Sequence, residues 1–144
     1  MGRTHCRNIE DRLYNYGGTK KPDPNMASSL LKNLRKECPR RTGNGQPDPL
    51  VNLNPQSGKD YYKFSVSYYN SVTKRQAVLG IDQQLLYGSD TKEIVNEFAD
   101  RLEDYRKSFA LSISRAGTLN VLTGKQGEIR RNCRYTNKDN PYLK

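Results

Sequence analysis

The sequence has few side chains of the kind that hold structural metals, and it has no long apolar run. It contains one histidine, His5, and three cysteines, Cys6, Cys38 and Cys133, which form no CxxC pair. A structural zinc site takes about four cysteine or histidine ligands at short spacing, so we exclude one. No window of about 18 consecutive apolar residues is present, which excludes a membrane-spanning helix. Residues 1–10 are polar, so we expect no signal peptide in this chain.

Apolar residues are scarce, and basic residues are in excess. Hydrophobic residues make up 33% of the 144 residues, and the mean hydropathy is -0.97. Soluble domains usually carry about 45–50% apolar residues with glycine counted, so we expect a thin core. The net charge is +10, from 25 basic and 15 acidic side chains, but the basic residues cluster only in pairs such as Arg40 and Arg41. This distribution favours a basic solvated surface over a nucleic-acid-binding arm.

The spacing of apolar residues predicts a mainly helical chain with long loops. Helices are predicted within 2–16, over 26–37, over 64–72 and twice within 90–117, with loops at 39–60 and 118–144. Asn25 is the predicted N-cap of the second helix, and Cys38 and Pro39 stop that helix after Glu37. Gly17 and Gly18 end the first helix. We predict no pair of β-strands.

Asp82 stands out because it lies in the largely apolar stretch 78–87. A carboxylate in such a stretch needs a partner, since an isolated buried charge is very costly. One interpretation makes Asp82 the N-cap of a helix over 83–87. The other makes it a carboxylate that orients a metal-ligating histidine, and His5 is the one histidine in the sequence. For His5 itself a solvated role is favoured, because a dyad with the adjacent Cys6 is geometrically poor.

Several motifs, in order, resemble the C-terminal half of a secretory plant haem peroxidase (class III). They are Gly2-Arg3-Thr4-His5-Cys6, Asp11-Arg12-Leu13-Tyr14-Asn15, Pro22-Asp23-Pro24, Leu34-Arg35 with Cys38-Pro39, Val51-Asn52-Leu53-Asn54-Pro55, Tyr68-Tyr69, Asp82-Gln83 with Leu85, and Leu122 to Arg130 with Cys133. The last of these, L-T-G-x-x-G-E-I-R-x-x-C, is specific. The match runs from residue 2 to about residue 137, so it covers nearly the whole chain.

The resemblance implies the fold and the cysteine pairing. It implies one partial domain over 1–144, with the C-terminal (proximal) half of the family's helical fold. From the residues alone, the odd cysteine count indicates one disulfide and one cysteine whose partner lies elsewhere, without saying which. The resemblance implies that Cys6 pairs with Cys38, and that Cys133 is unpaired because its partner belongs to the N-terminal half. A bridge that closes this loop stabilises by roughly 3–4 kcal/mol in the chain-entropy model.

The resemblance also implies two cofactors, haem b and calcium, and indicates what this chain lacks for each. The proximal histidine that ligates the haem iron would lie before Met1, and the distal histidine and arginine belong to the N-terminal half. Asp82 matches the carboxylate that hydrogen-bonds that proximal histidine. Asn54, Ser57 and Ser65 stand where the family's calcium site has aspartate, threonine and aspartate. We therefore expect this chain alone to bind neither cofactor stably.

Two hypotheses about function follow. The first is a haem peroxidase that oxidises small phenolic donors with hydrogen peroxide in response to oxidative stress, present here as a truncated chain, inactive without its N-terminal half. The second is a basic module that binds nucleic acid or an anionic polymer, and it is the less favoured. Haem retention would support the first, and salt-dependent binding to nucleic acid would support the second. The resemblance implies secretion to the extracellular space, the cell wall or the vacuole, and we expect no membrane partner.

Overall fold

A computed structural model of the chain describes residues 2–41, 43, 45–54 and 63–143. Its regular elements are β1 (Arg3–His5), α1 (Glu10–Tyr14), α2 (Ser28–Glu37), β2 (Leu50–Asn52), α3 (Ser67–Thr73), α4 (Gly80–Gln84), α5 (Ser89–Asp100) and α6 (Leu102–Thr118). Short 3-10 turns precede and follow α1, at Cys6–Ile9 and Tyr16–Gly18. The predicted mainly helical fold is confirmed.

Backbone contacts divide the chain into two compact units. The first unit runs from Met1 to Arg106, and the second from Lys107 to Lys144. The boundary falls within α6, so this helix begins in one unit and ends in the other. The single partial domain over 1–144 that the resemblance implies stays a prediction.

The strands β1 and β2 form a two-stranded antiparallel sheet, which the sequence analysis missed. Thr4 pairs with Val51 at its centre, and both residues are buried. The prediction of no strand pair was therefore wrong. Each strand has three residues, too few to show a period of two. The strands are 44 residues apart, and β2 lies inside the predicted loop 39–60. The start of the predicted first helix, at residues 3–5, is strand instead.

The larger core of the first unit packs around a disulfide. Cys6 and Cys38 are bonded, with their Cα atoms 5.3 Å apart, as the resemblance implies. The buried residues of this core are Cys6, Ile9, Leu13, Met26, Leu30, Leu34, Cys38, Val51 and Val78. The bridge joins the residue after β1 to the residue after α2, so it fastens the end of the sheet to the end of that helix.

A buried ion pair connects this core to the chain before α4. Arg12 Nε donates to Asp23 Oδ2 at 2.8 Å, and the side chains of Arg12 and Asp23 are 8% and 4% exposed. Arg12 Nη1 also donates to the carbonyl oxygens of Ala77 and Val78, at 2.9 and 2.7 Å. One guanidinium thus holds α1, the loop at Asp23 and the segment before α4 together.

Helix α2 shows which local signals the sequence carries. Leu30 and Leu34 are buried on one face, one turn apart, as the apolar stripe predicts. The helix ends at Glu37, before Cys38 and Pro39, also as predicted. Its N-cap residue is Ala27 rather than Asn25, and Ala27 forms no side-chain capping hydrogen bond, so the predicted cap was wrong.

A smaller core lies where α3 packs against α5. Its buried residues are Val72, Ala77 and Val95, and half-buried side chains pack against them: Tyr68, Tyr69, Leu85 and Leu86. From the sequence, Met26, Leu30, Phe98 and Phe109 are candidates to line either the core or an apolar face that the missing half would cover. Met26 and Leu30 are buried, Phe98 is half-buried, and Phe109 is 45% exposed.

The second unit is mostly irregular after α6. No residue of α6 is buried, and its exposed apolar side chains include Phe109, Leu111 and Ile113. After the helix, Leu119, Leu122 and Ile129 are also exposed. Cys133 is an exposed free thiol. In the described part of the chain, no helix is both long and apolar enough to cross a membrane.

Candidate functional site

Asp82 lies in the first turn of α4, and its partner is a tyrosine. The Tyr68 hydroxyl, on α3, donates a hydrogen bond to Asp82 Oδ1 at 2.8 Å. The residue that caps α4 is Leu79, which makes no side-chain capping bond. The interpretation of Asp82 as a helix N-cap was therefore wrong. The need for a partner was predicted correctly, but the sequence did not indicate that Tyr68 supplies it.

The pairing with Asp82 suppresses ionisation of the tyrosine. Burial, the hydrogen bond to Asp82 and the negative charge of Asp82 together raise the pKa of Tyr68 well above its usual value. All three causes act in the same direction, because each disfavours a phenolate next to a carboxylate in a partly desolvated position. Tyr68 therefore stays protonated at neutral pH and acts as a hydrogen-bond donor to Asp82.

Gln83 fixes the position of α4 relative to α3. Its side chain is almost fully buried. Gln83 Nε2 donates to the carbonyl of Val72 at 3.0 Å, and its Oε1 accepts from the backbone N–H of Ala77 at 3.3 Å. These bonds hold the residue next to Asp82, so they help to set where the carboxylate lies. In the sequence Gln83 is visible only as part of a motif, because a buried amide in a short polar helix gives no periodic signal.

A cluster of aromatic rings continues from Tyr68 toward α5 and α6. The centroids of Tyr68 and Tyr69 are 5.0 Å apart, and those of Tyr69 and Tyr105 are also 5.0 Å apart, both pairs edge to face. Phe98 lies 5.5 Å from Tyr69, and Phe64 stacks on Tyr105 at 4.7 Å. Burial raises the pKa of Tyr69 and of Tyr105. The cluster gives Tyr68 a packed, partly dry environment.

His5 is not part of the arrangement around Asp82. Its ring lies on β1, where Nδ1 is 3.0 Å from the carbonyl oxygen of Asp48 and 3.4 Å from the Asp48 carboxylate. The Arg7 backbone N–H and guanidinium also bond the Asp48 carboxylate. The one imidazole in the sequence therefore tethers the loop at Asp48 to the sheet, and the hydrogen bond to Asp82 comes from Tyr68 instead.

These residues do not fit haem by themselves. Haem iron takes an axial side-chain ligand, most often a histidine. Asp82 can accept a hydrogen bond from such a ligand but is not placed next to one, since its described partner is Tyr68 and His5 is bonded to Asp48. An axial ligand for haem would have to come from residues other than these.

Two of the three predicted calcium positions lie close together, but they do not fit calcium. Asn54 and Ser65 both contact the Ser67 hydroxyl. Ser57 lies outside the described residues. In the part of the chain that the structure describes, no group of three or more His, Cys, Asp or Glu side chains could hold a metal ion. Calcium prefers several oxygen ligands that include carboxylates, and Asn54 and Ser65 supply none.

Comparison with known proteins identifies what the chain is similar to. The family model described as Peroxidase matches residues 1–101. Among curated relatives, Probable peroxidase 61 of Arabidopsis thaliana is 57% identical over 95% of this chain and 40% of its own length. Probable peroxidase 26 and Peroxidase 37 of the same plant are 53% and 39% identical, again over 95% of this chain. The chain thus spans about 40% of the length of the relatives it matches.

Proposed function

We propose that this chain, which belongs to the peroxidase family, forms the part of a haem peroxidase that supports the proximal side of the haem. The family match confirms the predicted resemblance to plant peroxidases. In the whole protein, the reaction is the oxidation of small phenolic donors by hydrogen peroxide. The haem supplies the redox chemistry, and the protein supplies its binding and orientation.

The observation that carries the proposal is the position of Asp82. It is held by Tyr68 and by the buried Gln83 next to it, and its second carboxylate oxygen can accept one further hydrogen bond. A carboxylate that accepts from the second ring nitrogen of an iron-ligating histidine fixes the orientation of that ring and raises its basicity. Asp82 is therefore a positioning residue, and the histidine that it would orient belongs to a segment other than the 144 residues.

We propose further that the chain alone does not turn over substrate. Its sequence holds no histidine other than His5, which bonds Asp48 rather than Asp82. Peroxide cleavage needs a base and a cationic donor next to the iron. Those groups would be supplied by an N-terminal part of the family domain, since the chain corresponds to only 40% of the length of Probable peroxidase 61.

The exposed apolar face of α6 supports a partner of this kind. Phe109, Leu111 and Ile113 are about half exposed, and no residue of the helix is buried. Phe109 and Ile113 lie four residues apart on one face of the helix, whereas Leu111 projects from the opposite side. Exposed apolar surface that includes Phe109 and Ile113 is typical of an interaction site. We propose that the N-terminal part of the family domain covers it.

The disulfide supports a location outside the reducing cytosol. Bonds such as Cys6–Cys38 persist in oxidising compartments, which is consistent with secretion to the cell wall, the extracellular space or the vacuole. The alternative, a basic module for nucleic acid, gains no specific support. The net charge of +10 is the one observation behind it.

The experiment is a haem titration followed by a peroxidase assay with guaiacol. We expect no stoichiometric Soret band and no turnover above free haemin with the 144 residues alone. A Soret band that survives His5→Ala would contradict the proposal. Fusion of the preceding segments of Probable peroxidase 61 should restore both haem binding and turnover.

The role of Asp82 is tested in that restored protein. Asp82→Asn should lower turnover by about 10–100-fold and shift the Soret band of the ferrous form, because the iron ligand becomes less basic. Asp90→Asn, at an exposed position at the start of α5, is the matched control and should change neither. Equal effects of the two substitutions would show that Asp82 does not act on the iron ligand.

A further inference from the structure

At the predicted calcium positions, and next to them, the side chains are neutral and form hydrogen bonds directly with each other. We propose that Asn54, Ser65, Ser67 and Ser71 join the end of β2 to the start of α3 through hydrogen bonds, in place of a metal ion. The connection between the end of β2 and the start of α3 is then stable without calcium. The inference concerns stability alone and depends on neither haem nor turnover.

The contacts form a connected network. Asn54 Nδ2 donates to Ser67 Oγ at 2.6 Å, and the hydroxyls of Ser65 and Ser67 are 2.7 Å apart. The Ser71 hydroxyl lies 3.4 Å from Asn54 Oδ1 and 2.9 Å from the carbonyl oxygen of Ser67. The Ser71 hydroxyl has one proton, which these two acceptors share, and the Ser67 carbonyl is the closer of them. Ser67 is the residue on which the bonds converge.

Burial makes these bonds important for stability. Asn54 and Ser71 are 7% and 5% exposed. A buried amide that loses its partners pays the full desolvation penalty of its polar atoms, so the network cannot be broken without a loss of stability. Asn54 follows β2 by two residues, and Ser67 is the first residue of α3. The bonds therefore span the two ends of the intervening segment, the kind of cross-link that a metal ion provides.

The electrostatics of the cluster oppose a cation. The four side chains are neutral, whereas calcium sites combine six to eight oxygens with carboxylate charge. Lys63 lines the same small cavity, of about 50 Å³, together with Asn54, Ser65 and Ser67. The described residues that line this cavity include no carboxylate.

The first experiment compares thermal unfolding of the unmodified chain in EGTA and in millimolar calcium. We expect the two values of Tm to agree within about 1 °C, since a ligand that does not bind the native state does not stabilise it. The same comparison would also detect calcium binding that involves Asp60, the one carboxylate in the segment 55–62. A Tm that rises by several degrees with calcium and falls again with EGTA would overturn the inference.

The second experiment tests whether the network stabilises the chain. Ser67→Ala should lower Tm by about 2–8 °C in EGTA, the shift expected when a hydrogen bond worth about 1 kcal/mol is lost from a domain of this size. Ser112→Ala, on the exposed surface of α6, is the matched control and should not lower Tm. Equal Tm values for the two variants would show that the network does not stabilise the chain.

A third comparison changes charge without changing shape. Asn54→Asp should lower Tm in EGTA more than Asn96→Asp, which introduces the same charge at an exposed position of α5. The reason is that the substitution at residue 54 removes the amide donor to Ser67 and brings a negative charge into a buried position. If the two variants unfold at the same temperature, the cluster tolerates a carboxylate, and the inference of a neutral replacement fails.

Discussion

The first unit of the chain has a buried apolar core, whereas the described part of the second unit has no buried apolar side chain. Thirteen hydrophobic residues are buried in the described part of the chain, and all of them lie between Cys6 and Ala99. Among the described residues 107–143, Asn140 alone is buried. Burial of apolar surface is the main stabilising contribution to folding, at about 25 cal/mol per Å². The apolar burial that stabilises the fold therefore comes from the described residues of the first unit, whereas the described residues 107–143 contribute almost none.

One ion pair from each unit shows the same contrast. Arg12 and Asp23 are both buried, whereas Arg130 and Glu128 in the second unit are 46% and 36% exposed, with 3.5 Å between Nε and Oε1. Arg12→Ala should lower the free energy of unfolding by about 3–5 kcal/mol, because it leaves the Asp23 charge buried without a partner. Arg130→Ala should change it by less than about 1 kcal/mol. Urea denaturation followed by circular dichroism measures both.

A double substitution separates the charge from the packing in this first prediction. Arg12→Ala combined with Asp23→Ala should be less destabilised than the sum of the two single variants, since neither charge is then left alone. Similar losses for Arg12→Ala and Arg130→Ala would remove the distinction between the two units.

Substitution of one isoleucine in each unit by valine tests the same contrast between the units with a smaller structural change. Ile9 is 1% exposed and Ile129 is 96% exposed. Ile9→Val should lower the free energy of unfolding by about 0.5–1.5 kcal/mol, through the lost transfer energy and the space left behind. Ile129→Val should have no measurable effect in the same urea titration. An effect at Ile129 as large as at Ile9 would mean that the second unit buries this side chain after all.

The last prediction concerns alkaline pH, where the effect on stability arises from tyrosine. The pKa of Tyr68 is raised in the folded chain, while an unfolded tyrosine titrates near its usual value of about 10. Above about pH 10 the unfolded state loses a proton that the native state keeps, so stability falls as pH rises. Tyr68→Phe should make this fall shallower when unfolding free energies are measured between about pH 9 and about pH 11.5, the range around that usual value.

Tyr142 is the control for this last prediction. It lies in the second unit and is 79% exposed. Tyr142→Phe should leave the slope of stability against pH unchanged. Some slope should persist in Tyr68→Phe, because burial also raises the pKa of Tyr69 and Tyr105. If Tyr68→Phe and the unmodified chain have the same slope, burial and the contact with Asp82 do not raise the pKa of Tyr68.

Helices were predictable where apolar spacing and a stop signal agreed. Helix α2 was expected over 26–37 and runs from Ser28 to Glu37, because its stripe and Pro39 are both local signals. The pairing of Thr4 with Val51 was not predictable, since it depends on residues far apart in sequence. Long-range packing of this kind overrides local patterns in short elements.

The candidate site was predictable in part for the same reason. A carboxylate in an apolar stretch signals that a partner exists, and Asp82 has one. The identity of that partner depends on how α3 packs beside α4, which no local pattern encodes. For the network at Asn54, the sequence likewise indicated only that two carboxylates are absent. The hydrogen bonds that converge on Ser67 could be identified only from the fold.

The contacts of Arg12 have a consequence for the order of events in folding. Asp23 is 11 residues away from Arg12 in sequence, whereas Ala77 and Val78 are 65 and 66 residues away. The entropy lost in closing a loop rises with its length, so we expect the pair with Asp23 to form first and the bonds to the two carbonyls to form last. Interactions that form after the rate-limiting barrier affect unfolding more than folding. We therefore expect the bonds from Arg12 to Ala77 and Val78 to affect the unfolding rate of the first unit more than its folding rate.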